Sequence, residues 1–155
     1  AFFRSQSPSI QTWKDLEALR RRWQGRFILK GIQHPDDARR AVDLGLDAII
    51  VSNHGAKSFD RLPSPLETLP AVKQAVGHRV PVMLDSGIRR GSDIAIALCL
   101  GADFVFVGRA TLYGVVAGAQ AGAARAVAIL RQEIDMTLAM IGCASLSDLG
   151  PHILM

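Results

Sequence analysis

The sequence predicts an α/β protein in which parallel β-strands alternate with α-helices. Four short hydrophobic runs are continuous rather than alternating, which is typical of strands covered on both faces. A polar turn and then a helical pattern follow each run. Strands that alternate with helices in this way form a parallel sheet with right-handed crossovers. The predicted strands are residues 27–29, 48–51, 80–84 and 104–107.

Capping residues mark where the predicted helices begin and end. Thr12 and Asp15 are spaced as a capping pair. Ser64 and Glu67 form a capping box, with a proline at the first helical position. The other predicted helix starts are Pro35 and Ser92, the predicted ends are Gly25, Gly45 and Gly101, and Leu130, Ile134, Leu138 and Ile141 share one face of a fifth helix.

Length and composition favour a single folded domain over disorder. The chain has 155 residues, of which 49% are hydrophobic, so it can bury a real core. A complete eight-stranded parallel barrel usually has roughly 250 residues, more than this chain has. The first residue is Ala1 rather than methionine, from which we expect a truncated reading frame. All residues, 1–155, are assigned to one truncated domain.

The net charge of +4 does not indicate a nucleic-acid-binding protein. Much of the basic character lies on one predicted solvated helix, and neither aromatic residues nor a binding motif accompany it. A phosphate-bearing small molecule is the better explanation for a positive field. The basic run consists of Arg20, Arg21, Arg22 and Arg26.

The cysteines and the apolar segments indicate a cytoplasmic protein. Cys99 and Cys143 lack CxxC spacing, which is typical of small buried side chains in a reducing compartment. The longest apolar stretch, residues 94–107, is interrupted at 101–103 and cannot span a membrane. No signal peptide is visible. We expect no membrane association from this chain, although a missing half could carry an inner-membrane anchor.

Each predicted strand ends in a polar signature. In a parallel barrel the carboxyl ends of all strands face one mouth, where ligands bind and catalysis occurs. The signatures would therefore converge on one site. The alternation itself leaves three architectures open: a small doubly wound sheet, half of an eight-stranded barrel, or a half that pairs with another copy. The signatures are Lys30-Gly31, Ser52-Asn53-His54-Gly55, Asp85-Ser86-Gly87-Ile88-Arg89-Arg90-Gly91 and Gly108-Arg109.

The third and fourth signatures suit a phosphate group. Glycines let the backbone approach a ligand, exposed N–H groups form an anion nest and arginine supplies a forked cation. On spacing alone the alternative is equally good, namely that Gly87 and Gly91 permit turns while Arg89 and Arg90 are solvated. Asp85 either binds hydroxyl groups, such as those of a ribityl chain, or caps the loop that follows it.

His54 is the candidate general base. A lone histidine is more often structural, but this one follows a buried strand at the expected mouth, which makes catalysis as good an interpretation as a structural role. Lys30 must point into a cavity or pair with an anion, and there it can stabilise negative charge on a cofactor or substrate. Lys57 either holds a substrate carboxylate or is a solvated loop cation. The remaining histidines, His34, His78 and His152, are interpreted as surface residues, and no ligand spacing indicates a metal site.

Four longer motifs carry a family resemblance: Leu29-Lys30-Gly31, Val51-Ser52-Asn53-His54-Gly55, the run from Asp85 to Asp93, and Val107-Gly108-Arg109-Ala110. Together they resemble the FMN-dependent 2-hydroxy acid dehydrogenase and oxidase family, which includes glycolate oxidase, L-lactate dehydrogenase and mandelate dehydrogenase. The resemblance runs over nearly the whole chain, and the tail is most similar to the bacterial mandelate and lactate dehydrogenases. It implies the C-terminal half of a TIM (β/α)8 barrel, with four parallel β–α units plus a C-terminal helix.

The resemblance also implies a reaction and roles for matching positions. The family oxidises a small (S)-2-hydroxy acid to the 2-oxo acid, with FMN as the electron acceptor. His54 would be the base and, with Lys57, would contact the substrate. Lys30 and Ser52 would contact the flavin, with Lys30 stabilising its reduced, anionic form. The ribityl-phosphate site would consist of Asp85, Ser86, Gly87, Ile88, Arg89, Gly108 and Arg109.

Two features depart from the family pattern. Gly-Gly-Arg-Gln-Leu-Asp follows the histidine in the family, whereas Ala56 and Lys57 follow Gly55 here. A lysine offers a flexible point charge instead of a bidentate arginine clamp. Ala56 is strained if its position requires a positive φ.

The second departure is the absence of the family's first four strands, which carry a flavin-covering loop, tyrosines and a carboxylate that orients the histidine. A half-barrel would leave strand edges open and a hydrophobic interior half exposed. We therefore expect the chain to be inactive alone, and to require a complementary barrel half or self-association. The alternative is an inactive remnant that binds FMN or phosphate without catalysis.

Overall fold

Four parallel strands form one sheet, in chain order, in the computed structural model, which describes residues 11–154. The strands are β1 (Ile28–Ile32), β2 (Ala48–Val51), β3 (Val82–Leu84) and β4 (Phe104–Val105). The helices are α1 (Trp13–Arg22), α2 (Pro35–Asp43), α3 (Pro65–Val76), α4 (Gly91–Cys99) and α5 (Arg109–Met140). The predicted four parallel β–α units with a C-terminal helix are confirmed.

The strands differ from the predicted ones at their ends. β1 continues to Ile32 through a change of register at Gly31, where φ is +100°. β3 begins at Val82 rather than at residue 80, since Pro81 has no N–H to donate to a neighbouring strand. β4 ends at Val105 rather than at residue 107, and within the described residues it pairs only with β3.

The capping predictions for α1 and α3 are confirmed. The N–H of Thr12 donates to Asp15 Oδ2 over 2.7 Å, and the N–H of Ser64 donates to Glu67 Oε2 over 2.9 Å. α1 ends before Gly25, however, because Trp23 is already extended, with φ −104° and ψ 110°.

The helix α4 begins at Gly91 rather than at Ser92. Asp93 accepts the backbone N–H groups of Arg89 and Arg90, which extends the capped turn towards the strand. This cap therefore determines the shape of the loop between β3 and α4.

Helices cover one face of the sheet, and the other face is open. Ile49, Val82 and Leu84 are fully buried against the helices. On the opposite face, Ile28 is 44% exposed and Phe104 is 55% exposed. The described sheet is thus half of a barrel, with β1 and β4 as its edges and an apolar inner face that no described residue covers.

The last helix, α5, folds back on itself. The backbone leaves the helical region at Gly118 and Ala119. The helical segments before and after this reversal touch each other, since a Cβ added to Gly114 would lie 2.5 Å from the carbonyl oxygen of Gly122. By length and composition α5 could cross a membrane, unlike residues 94–107. The reversal divides it into two shorter segments.

The predicted apolar face of this helix is confirmed in part. Leu130 is buried and Ile134 and Leu138 are half-buried, but Ile141 follows the helix and is 37% exposed. Cys99 is buried in α4, whereas Cys143 lies beyond α5 and is only half-buried.

Candidate active site

The polar strand ends meet at an open cleft of about 520 Å³, which we call the strand-end cleft. All four predicted signatures contribute to its wall, so they converge as the sequence indicates. Ser52 is the one proposed site residue outside the wall, because it is buried beneath Lys30. Phe106 and Val107 add an apolar wall that the sequence interpretation did not assign to the site. The other lining residues are Lys30, His54, Gly55, Lys57, those at 85–89, Gly108 and Arg109.

An ion pair lies in the cleft between the ends of β1 and β3. Lys30 Nζ donates to Asp85 Oδ2 over 2.5 Å and to Ser52 Oγ over 2.7 Å. Lys30 is 40% exposed and Asp85 20% exposed, so the pair faces the cleft without being sealed from it. The prediction that Lys30 must either face a cavity or pair is confirmed in both respects.

The pKa of Asp85 lies below its ordinary value. Partial burial by itself raises this pKa, but hydrogen bonds from Lys30, Ser52 and Ser86, together with the Lys30 charge, outweigh the burial. Asp85 is therefore a carboxylate at neutral pH, with oxygens that can accept hydrogen bonds from hydroxyl groups.

Left-handed backbone presents His54 to the cleft. His54, Gly55 and Ala56 follow one another with φ of 57°, 68° and 61°. Residues other than glycine rarely adopt such angles, and such strain persists where the surroundings enforce it. The conditional prediction about Ala56 is confirmed, because its position does have a positive φ.

Buried hydroxyl and amide groups hold this loop. The N–H of His54 donates to Ser52 Oγ over 3.1 Å, and the N–H of Ala56 donates to Asn53 Oδ1 over 3.2 Å. Both Ser52 and Asn53 are buried, at 1% and 9% exposure. These two hydrogen bonds thus tie the loop to buried groups at the end of β2.

The imidazole of His54 packs on the backbone of β1. A Cβ added to Gly31 would lie 3.0 Å from His54 Cε1. Sequence reasoning noted Gly31 only as part of a strand-end signature and missed this contact. A glycine next to a strand-end lysine was the available signal.

Lys57 lies on the rim of the cleft. Its side chain is exposed and makes no ion pair or hydrogen bond with the described residues. It is therefore available to an anion in the cleft, but nothing in the described part of the chain orients it.

The expected anion nest is only partly available in the third signature. The N–H groups of Arg89 and Arg90 already donate to Asp93 Oδ2, over 2.8 and 2.9 Å. The N–H of Gly91 donates to Glu133 Oε2 over 2.7 Å. The backbone N–H groups of residues 89–91 are therefore not free donors for a phosphate, because protein carboxylates already accept from them. Glu133 carried no sequence signal because it is distant in the chain.

The beginning of α5 instead offers free backbone N–H groups that can donate hydrogen bonds to an anion. The N–H groups of Gly108, Arg109 and Ala110 donate to no acceptor among the described residues. They form the electropositive end of that helix, beside the arginines of the cleft wall. A Cβ at Gly87 or Gly108 would meet nothing within 4 Å, so a ligand can approach the backbone there.

A half-barrel with free backbone N–H groups and an imidazole at its mouth has the layout of a barrel protein with its ligand site at the carboxyl ends of the strands. A family model described as FMN-dependent dehydrogenase matches residues 1–155. The chain belongs to this family, whose cofactor is FMN.

The relatives are longer than this chain. It is 51% identical over 140 residues to the pre-mycofactocin synthase of Mycobacterium tuberculosis. The matched region is 90% of this chain and 35% of that protein. It is 42% identical over 153 residues to the L-lactate oxidase of a Nostoc species, covering 99% of this chain and 42% of that protein. A crystal structure of the monotopic membrane protein (S)-mandelate dehydrogenase matches with a TM-score of 0.92 and 40% identity, over 99% of this chain and 41% of that chain.

The chemistry of the cleft fits FMN. FMN carries an anionic phosphate, a chain of hydroxyl groups and a ring system that gains negative charge on reduction. The free amides at the start of α5 and the arginines suit the phosphate, and the Asp85 carboxylate suits hydroxyl groups. Lys30 is a cation within the same cleft.

Proposed function

We propose that the protein containing this chain oxidises a small (S)-2-hydroxy acid to the 2-oxo acid, with His54 as the base. The observation that carries this proposal is the placement of the His54 imidazole in the strand-end cleft, packed on Gly31 beside the Lys30–Asp85 pair. The oxidation removes two electrons and two protons from the substrate, and FMN supplies the electron acceptor when bound. His54 takes one proton, from either the α-carbon or the hydroxyl group, and the second proton would leave with the electron pair to the bound FMN.

Lys30 is proposed to contact the flavin, and Ser52, which is buried beneath it, is proposed to act on the flavin through the Lys30 ammonium group. Lys30 places a positive charge where the electron acceptor gains negative charge, which favours reduction. Ser52 supports Lys30 from below, through the 2.7 Å hydrogen bond to its ammonium group.

The remaining cleft residues are proposed to hold the ribityl-phosphate part of FMN. Asp85 suits the hydroxyl groups because it stays ionised at neutral pH. The phosphate would lie against the free amides at the start of α5. The side chains of Arg89 and Arg109, with the backbone at Ser86, Gly87, Ile88 and Gly108, complete this proposed subsite.

Lys57 is proposed to bind the substrate carboxylate. It lies on the cleft rim with no described partner, so its charge is free for a substrate. A lysine binds a carboxylate as a flexible point charge and orients it less than a bidentate arginine does. We therefore expect weakened or altered substrate binding.

Activity is proposed to require a complementary barrel half. The chain covers 35% to 42% of the relatives described above, and the inner face of the sheet is open. Either an N-terminal half or a second copy would cover Ile28 and Phe104. The alternative function is a half-barrel that binds FMN or phosphate without catalysis, which the changes at Ala56 and Lys57 favour.

The visible spectrum of the purified protein separates these functions. The chain is prepared with and without an upstream half and mixed with L-lactate or (S)-mandelate in the absence of oxygen. A flavin spectrum that the acid bleaches supports the enzyme, and a bound flavin that is never bleached supports the alternative. Absence of flavin from both preparations contradicts the enzyme and the FMN-binding form of the alternative.

The role of His54 is tested with His54→Asn, since asparagine tolerates a positive φ better than most residues. Loss of a general base lowers the turnover rate on the order of 10²- to 10⁴-fold. The variant should retain the flavin spectrum. The matched control is His78→Asn, at an exposed position outside the cleft.

A further inference from the structure

Side chains from two other strand ends hold the peptide groups of Gly55. Its N–H donates to Ser86 Oγ over 2.9 Å, and its carbonyl oxygen accepts from Arg109 Nη2 over 3.2 Å. Gly55 directly follows His54 in the left-handed loop. The position of the imidazole therefore depends on groups that follow β3 and β4 as well as on its own strand.

The backbone conformation at position 86 is unfavourable for a serine. Its φ is +78°, a conformation in which glycine is strain-free and serine is not. What serine adds is a hydroxyl group, and this hydroxyl is fully used. It donates to Asp85 Oδ1 over 2.8 Å while accepting from Gly55, and Ser52 Oγ lies 3.5 Å away.

The Ser86 hydroxyl thus joins two parts of the cleft. On one side is Asp85, which is paired with Lys30. On the other side is the peptide that follows His54. An ionised Asp85 fixes the hydroxyl hydrogen towards itself and leaves the oxygen lone pairs for the Gly55 N–H.

We propose that Ser86 is a positioning residue, which holds the left-handed Gly55 peptide and so keeps the His54 imidazole against Gly31. The catalytic meaning of this position rests on the proposed role of His54 as the base. The structural part of the proposal does not rest on that role, because it concerns only where the imidazole ring lies. Loss of the hydroxyl releases the Gly55 N–H and lets the ring move off β1.

The proposal is tested by NMR on the chain labelled at histidine, with its complementary half if that is needed for solubility. The measured signals are the His54 Cε1–H resonance and its cross-relaxation with the Gly31 α-protons, assigned with His54→Asn. The variants are Ser86→Ala, which removes the hydroxyl and keeps the strain, and Ser86→Gly, which removes both. The control is Ser58→Ala, in the same loop but exposed and without a described hydrogen bond.

Both Ser86 variants should shift the His54 resonance and lose the cross-relaxation with Gly31, while Ser58→Ala preserves them. Ser86→Gly is free of backbone strain, so it carries the test if Ser86→Ala does not fold. Unchanged His54 signals in folded Ser86→Gly would overturn the proposal. A changed ring position in a protein that never bleaches its flavin would support the positioning role and contradict only the proposed oxidation.

Discussion

The imidazole of His54 lies against the backbone of Gly31, where a side chain would crowd it. A Cβ there would stand 3.0 Å from His54 Cε1, tighter than nine in ten real Cβ contacts, so the ring would have to move by a few tenths of an ångström. Gly31→Ala should therefore displace the ring. A misplacement of about 1 Å lowers turnover on the order of 10²-fold, so this smaller displacement should lower turnover by less than that. Steady-state kinetics of the flavin-loaded protein measures the effect.

The control for this prediction is Gly45→Ala. Gly45 also has a positive φ, of 77°, but a Cβ there would meet nothing within 4 Å. Both variants share the backbone strain, so both should unfold at lower temperature, and only Gly31→Ala should lose turnover. Equal turnover in the two variants would contradict the contact.

Replacing Ala56 by glycine should stabilise the protein. Ala56 has a φ of 61°, where a side chain costs about 1 kcal/mol or more relative to glycine. The gain is measured as an increase in the free energy of unfolding in urea. Ala128→Gly, at an exposed position within α5, should instead lose roughly 0.5–1 kcal/mol. Destabilisation by both variants would show that Ala56 is not strained.

Lys57→Arg should lower the KM for a 2-hydroxy acid or raise turnover. The guanidinium group can bind a carboxylate through two parallel hydrogen bonds, whereas the lysine ammonium acts as a point charge. Steady-state kinetics with L-lactate and (S)-mandelate measures the effect. Lys14→Arg, exposed on α1, is the control. If Lys57→Arg changes neither parameter, Lys57 does not bind the substrate carboxylate.

Asp85 should make stability depend on acidic pH. Its pKa in the folded protein is lowered, so its stabilising contribution is present above the unfolded pKa of about 3.9 and is lost as the pH falls through the lower folded value. The free energy of unfolding should decrease over this window. Asp85→Asn should weaken that dependence, whereas Asp60→Asn, in an exposed loop, should not. Identical pH profiles for the protein and Asp85→Asn would contradict the prediction.

Gly91→Ala should separate α4 from α5. A Cβ at Gly91 would lie 2.4 Å from the backbone nitrogen of Ile134, and backbone atoms cannot move aside cheaply. Overpacking of this kind costs roughly 1–3 kcal/mol, measured by thermal unfolding. Gly118→Ala adds the same methyl group in open space at a φ of −162°, so it should be nearly neutral. An equal effect of both substitutions would contradict the close packing of the two helices.

Local patterns in the sequence determined most of the fold. The hydrophobic runs and the capping box at Ser64 act over a few residues, so strand and helix order could be predicted. The strand-end signatures could be placed at one mouth because parallel strands all point the same way. The strain at Ala56 could be predicted only on the condition that its φ is positive, since a backbone angle cannot be read from the residue types.

Only the tertiary structure decided which groups meet. The contact of Gly31 with His54, the hydrogen bond of Ser86 to Gly55 and the capture of the Gly91 amide by Glu133, 42 residues away, depend on how the units pack. A periodic pattern says which face of a strand or helix is apolar, but not which polar atom across the fold will satisfy a given N–H group. The ligand-binding end of the sheet and the candidate base, His54, could therefore be predicted from the sequence. The groups that orient His54 could be identified only from the packed structure.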